Sequence, residues 1–131
     1  MEHGRIRLSA GSGNTTPMET GSGKETPREI CVLYVTAPPS QSETLAKSLF
    51  AKRLIACANI TPVRSLYYWK GESCDDKEDL LIIKTRKDLV QAVIAAVKAE
   101  HPYEVPEIIA LPVIAGHAPY LDWVYGETGK P

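Results

Sequence analysis

The chain has 131 residues, 44% of them hydrophobic and 24% charged, with a formal net charge of −1 and a pI near 6.3. That size suggests one domain with its own core, and the lack of a basic stripe argues against nucleic acid as a partner. No apolar run nears the roughly 20 residues that span a bilayer, so no membrane insertion is expected.

Residues 1–29 are rich in Gly, Ser and Thr, with two GSG triplets and almost no periodic apolar pattern. Such a composition cannot bury enough surface to offset ordering entropy, and it reads as a disordered extension, linker or expression remnant. Arg5 and Arg7 among small polar residues suit an organelle transit peptide, whereas Glu2, Glu19 and Glu25 oppose one. Three cysteines, Cys31, Cys57 and Cys74, show no C-x-x-C spacing and are too few for a disulfide framework. Free thiols suit a reducing compartment, and the expected location is cytoplasmic.

The domain is expected over 30–126, with 127–131 as a tail. ICVLYVTA, from Ile30, is apolar on both faces, as in a buried strand. Pro38 and Pro39 stop it, and Ser40 with Glu43 has capping-box spacing. SETLAKSLFAKRLI then puts Leu45, Leu49 and Arg53 on one helical line and Ala46, Phe50 and Leu54 on the next. ACANITPVRSLYYWKG predicts a long strand with Pro62 at a bulge or edge. Gly71 and ESCDDKE supply turn chemistry, and DLLIIKT runs back as a second strand. Thr85 and Asp88 are placed to cap a second helix, with Leu89, Val93, Ala96 and Val97 as its buried stripe, and Pro102 ends it. Glu107 to Val113 forms the last core strand, and a short helix follows, with Pro119 in its first turn and Tyr120, Trp123 and Val124 on its apolar side.

The order β-α-β-β-α-β is that of an α+β, ferredoxin-like sandwich with both helices on one face of an antiparallel sheet. Strands apolar on both faces would leave a large exposed patch on a monomer, so self-association is expected. The strand through Arg64–Glu72 is too long for so small a sheet and is suited to pair with a neighbour.

Three prolines in the thirteen residues HPYEVPEIIALPV bracket a stiff turn. His101, Glu104 and Glu107 gather there, and imidazole with carboxylate suits Cu or Zn. The competing reading puts His101 in the last turn of a helix, favourable against its dipole. Cys57 reads as a small buried hydrophobe or as a thiolate ligand. Cys31 reads as core, Cys74 as an exposed turn residue, and His117 as surface. Tyr67, Tyr68 and Trp69 suit either a planar ligand or an oligomer interface, and the lack of a basic surround favours the interface. Lys84 and Arg86 either grip an anion or are solvated at a strand end. No nucleophile elbow, Walker loop or H-E-x-x-H is present, so no enzyme is expected.

Six segments in order, VTAP, KRLIACANI, SLYYWKGE, LLIIKTR, HPYEVPEIIALPV and YLDW, resemble the CutA family of divalent-cation tolerance proteins, over Ile30–Tyr125. The resemblance implies a ferredoxin-like subunit in a homotrimer and a link to copper and other divalent cations. His101 matches the family's proposed metal-binding histidine, Glu107 a nearby acidic position, and Cys57 its frequent cysteine. Val35 stands where some bacterial members have a cysteine suggested as a copper ligand. Tyr67, Trp69, Lys84, Tyr103 and Glu107 match positions lining clefts between subunits, and Tyr68, Trp69 and Trp123 are the expected trimer contacts. No cofactor is required, though Cu²⁺ or another divalent cation is a candidate ligand. A second reading, from a different class, is a signalling or scaffold trimer resembling the PII regulators, holding a small anion in its clefts near Lys84 and Arg86.

Overall fold

The computed structural model describes residues 28–129. Strand β1 (Ile30–Ala37) is followed by helix α1 (Ser42–Ala51), then β2 (Cys57–Trp69) and β3 (Glu72–Arg86). A 3₁₀ turn (Lys87–Leu89) leads into α2 (Val90–Glu100), β4 (Ile108–Pro112) and α3 (Ala118–Gly126). The four strands form one sheet in the order β2-β3-β1-β4, with every neighbouring pair antiparallel. This is the expected ferredoxin-like arrangement.

The alternation of β1 decides where the core lies. Cys31, Leu33, Val35 and Ala37 point to the helix side and are buried, joined by Leu81 and Ile83 from β3. Leu45 and Leu49 of α1 and Val93 and Val97 of α2 close over them. Val32, Tyr34 and Thr36 point to the opposite side, with Leu80 and Ile82, and are only half-buried. Helix α3 covers one end of that second side. There Ile30 and Val124 are buried outside the main core, and Arg86 stacks on Tyr125 at 4.1 Å.

Three local expectations are corrected here. Ser40 does not cap α1: Gln41 stands at the N-cap without a side-chain bond, and the Ser42 hydroxyl donates to Asp79 at 2.5 Å. Thr85 does not cap α2 either. It is fully buried in β3, its hydroxyl donating to the Leu54 carbonyl at 2.6 Å, and Asp88 falls in the 3₁₀ turn. The β2–β3 turn is only Lys70-Gly71, with φ of 52° and 82°, the left-handed pair that a two-residue hairpin requires. ESCDDKE, including Cys74 opposite Tyr67, is therefore strand. Its polarity up to Lys77 reflects solvation, because β1 stops pairing at Asp79 and the ribbon Arg64–Trp69 with Glu72–Lys77 projects beyond the four-stranded sheet.

The ordered domain also runs past the expected boundaries. Arg28 pairs with Asp122 at 3.3 Å, and the Glu29 carbonyl accepts from Lys87 N–H at 2.8 Å. At the other end Thr128 is buried and accepts from Arg86 Nε at 3.1 Å. The expected extension up to residue 27 and the last two residues of the tail lie outside the described residues.

Helix α1 ends at Ala51, short of Leu54. Arg53 adopts φ 58°, Leu54 N–H reaches the Leu49 carbonyl at 3.1 Å, and Arg53 N–H reaches that of Phe50 at 2.9 Å. This pair of bonds is a Schellman motif.

Candidate functional site

The turn 101–107 is tied to the sheet by three residues. Pro102 forces His101 out of the helix into extended backbone (φ −78°, ψ 138°). The imidazole is thereby turned inward and buried. Its Nδ1 accepts the Tyr103 backbone N–H at 3.2 Å, so Nε2 carries the proton and donates to the Thr36 carbonyl at 2.7 Å. The Tyr103 ring lies 4.7 Å from the imidazole, and its hydroxyl donates to Glu78 Oε2 at 2.7 Å. Burial, then the hydrogen bond to Glu78, pushes the Tyr103 phenol up to about 12. Glu78 is only 5% exposed, and among the described residues the Tyr103 hydroxyl is the donor to its carboxylate.

Both nitrogens of His101 are thus engaged, and it offers no free lone pair in this arrangement. Glu107 is exposed and makes no hydrogen bond or ion pair with the described residues. Glu104 pairs with Lys70 at 3.5 Å, joining the turn to the hairpin tip. Cys57 lies elsewhere. It faces Lys84 on β3, two strands across and four residues along from Thr36, more than roughly 13 Å at strand rise. One subunit therefore does not bring His101, Glu107 and Cys57 together, and no group of three or more His, Cys, Asp or Glu suited to a metal occurs among the described residues.

Cys57 is part of a second cluster. Lys84 Nζ bonds the Asn59 side-chain oxygen and lies 3.9 Å from Cys57 Sγ. Arg86, by contrast, is committed: besides Tyr125 and Thr128 Oγ1 it bonds the Thr128 carbonyl at 3.0 Å and pairs with Asp88 at 3.6 Å. Cys31 is buried, and burial raises its thiol, which makes it an inert core residue.

On the projecting arm, Tyr67 and Trp69 share a side with Glu72, Cys74, Asp76 and Glu78. Tyr67 donates to Asp76, and that bond raises its phenol above the ordinary range. Lys70 Nζ lies 5.4 Å from the Trp69 ring centre. Tyr68 is 80% exposed on the arm's other side, with Leu66 at 67%. Trp123 is half-buried on α3, its ring 5.6 Å from that of Tyr120. The three expected interface aromatics thus lie at two ends of the molecule.

Glu78 and Asp76 are the residues that sequence reasoning passed over, because ESCDDKED reads as a solvated turn. Their alternation with Leu80 and Ile82 was the available signal, since it puts all four on one strand face. The bond from His101 to the carbonyl of Thr36, 65 residues away, left no signal in composition.

A pocket of about 100 Å³ lies between Ala37, Gln41, Thr44, Leu45, Glu100 and Pro102, well short of the roughly 300–1,000 Å³ of small-molecule sites. No helix among the described residues is long and apolar enough to cross a membrane.

Topology and surface define a class: a ferredoxin-like domain whose second sheet face and projecting ribbon are left uncovered. Residues 31–127 match the family described as CutA1 divalent ion tolerance protein, and the chain belongs to that family. It is 45% identical to the divalent-cation tolerance protein CutA of Thermus thermophilus over 100 residues, 75% of this chain and 97% of that one. It is 46% identical to the chloroplastic protein CutA 1 of Oryza sativa over 99 residues, 74% of this chain; the match spans 56% of the rice protein's length. The crystal structure of rice CutA1 superposes with a TM-score of 0.75 at 44% identity, over 79% of this chain and 96% of that one. The apo PII-like protein CutA of Nostoc sp. superposes at 0.71 with 34% identity, over 77% and 97%.

Proposed function

We propose that the protein is a non-enzymatic homotrimer acting in tolerance or response to divalent cations, copper foremost, with weak cation binding in the clefts between subunits. The observation that carries this reading is the half-exposed apolar sheet face, with Ile109 49% and Leu111 40% exposed along β4. A soluble monomer has no reason to keep such a patch bare. Family membership supplies the link to divalent cations.

The donor set of one subunit does not fit a metal, so the cleft has to be completed by a second copy. Glu107, on the stiff turn, is the carboxylate free to take part. Cys57 and Tyr67, Trp69, Lys84 and Tyr103 are its proposed companions. His101 enters a coordination shell only by giving up the Thr36 carbonyl or the Tyr103 N–H. Few ligands per chain and loose selectivity suit Cu²⁺, which wins on intrinsic preference for imidazole and mixed N, O and S donors.

Calorimetric titration of the wild type and His101→Ala with Cu²⁺ tests the site. Weak binding that falls more than tenfold in the variant makes His101 a ligand. Equal affinities assign it to holding the turn. No heat at millimolar Cu²⁺ overturns the cation reading.

Two observations favour a second reading, a PII-like trimer holding a small anion: the similarity to the Nostoc protein, and Lys84, whose ammonium has only neutral partners among the described residues. Since Arg86 is committed to α3, Lys84 carries that reading alone. A thermal shift with nucleotides or organic anions, and none with metals, would favour it. The domain is proposed to lie in the cytoplasm or another reducing compartment, in keeping with its free cysteines.

A further inference from the structure

The uncovered sheet face is electrically lopsided. Along the same side of β3, Glu72, Asp76 and Glu78 stand toward the arm and Lys84 toward the opposite end, with Leu80 and Ile82 between them. Eight ion pairs engage most basic residues of the described chain, and none of them involves Asp76, Glu78 or Lys84. Among the described residues, Asp76 and Glu78 accept only from tyrosine hydroxyls, those of Tyr67 and Tyr103. Lys84 Nζ donates there only to an amide oxygen and a thiol sulfur.

A carboxylate as buried as Glu78 is costly without a compensating cation, because one neutral hydrogen bond offsets only part of its desolvation. Lys84 cannot serve within the same subunit. It is six residues along the strand, roughly 20 Å away. A second copy laid head to tail on this face would bring the basic end of one subunit to the acidic end of the next.

We propose that the open sheet face docks a second copy of the chain through an ion pair between Lys84 of one copy and the Asp76–Glu78 carboxylates of the next. The proposal rests on the self-association argued above and names the contact that orients it. Leu80, Ile82 and Tyr34 supply the apolar ground between the charged ends, and Tyr67 and Tyr103 hold the two carboxylates in place for the incoming ammonium. Opposite charges at the two ends fix register, and a docking that set acidic end against acidic end is excluded by repulsion.

The test uses the wild-type full chain, mixed as ¹⁴N and ¹⁵N preparations, allowed to exchange, and treated with a zero-length carbodiimide cross-linker. Mass spectrometry is expected to show Lys84 joined to Asp76 or Glu78 in mixed-isotope peptides. An oligomer whose Lys84 is joined only to other carboxylates overturns the ion pair while leaving self-association intact. A monomer mass by light scattering overturns both. Charge reversal gives an independent readout: Lys84→Glu and Asp76→Lys are each expected to raise the dissociation midpoint at least about tenfold. The double variant Lys84→Glu/Asp76→Lys is expected to recover most of that loss. A double variant as weak as the sum of the singles contradicts direct pairing.

Discussion

The two faces of one sheet are treated differently by the same strand. On the helix side, Leu33, Val35, Leu81 and Ile83 are fully buried. One residue along, Val32, Tyr34, Leu80 and Ile82 are equally apolar and only half-covered. Helices α1 and α2 close the first face completely, whereas α3 closes only the end of the second around Ile30 and Val124. The first face holds the subunit together, and under the proposed self-association the second is covered by another subunit. Apolar residues on both sides of ICVLYVTA would then mark a sheet with two partners, one of them outside the chain.

The sharpest way to break this comparison is to cut equally into both faces. Leu33→Ala removes a fully buried side chain and is expected to cost about 2–5 kcal/mol in urea unfolding. Ile109→Asp, on the open face opposite Tyr34, is expected to keep the far-UV circular dichroism of the wild type and to lower the mass of the assembly. If Ile109→Asp lowered the unfolding stability of the chain as much as Leu33→Ala, the two faces would be equivalent and the account wrong.

A smaller effect is expected where the faces meet at Tyr103. Tyr103→Phe removes the hydroxyl from buried Glu78 and is expected to cost about 1–3 kcal/mol at neutral pH. The wild type should also lose stability in alkali. The folded phenol, up to about 12, holds its proton more tightly than the unfolded one near 10. Its contribution is therefore complete below about 10 and is lost as pH rises toward 12. Denaturant midpoints across that window should fall in the wild type and lose this component in Tyr103→Phe.

The smallest effect concerns the end of the open face that the chain covers itself. Gly129 sits at φ 91°, with its N–H on the Arg53 carbonyl at 2.9 Å, and a Cβ there would come within 2.6 Å of Arg86 Nη2. Gly129→Ala is expected to cost about 1 kcal/mol in thermal unfolding, through the left-handed backbone and a displaced guanidinium. No change would mean that the clasp between Arg86 and the C-terminal segment contributes nothing.

Much of this was legible in the sequence where a periodic pattern met a punctuating residue. The element order, the long β2, the edge position of Pro62 and the end of α2 before Pro102 all followed from such local signals. The register of the hairpin did not. Lys70-Gly71 makes the whole turn, and the acidic run beyond it is strand because an unsupported ribbon needs no apolar alternation. Thr85 and Ser40 have the chemistry of caps, yet Thr85 is claimed by the Leu54 carbonyl, and Ser42 rather than Ser40 bonds Asp79. The site was legible only in part: His101 stood out by type and Tyr103 by the family resemblance, but their contacts depend on Thr36 and Glu78, which only the folded sheet brings near.

The central claim, that the open face is covered by further copies of the chain, is tested most directly by the molar mass in solution. Multi-angle light scattering across a dilution series should give three times the 14.4 kDa chain mass. A single chain mass at every concentration, with the sheet face left in water, would contradict the account.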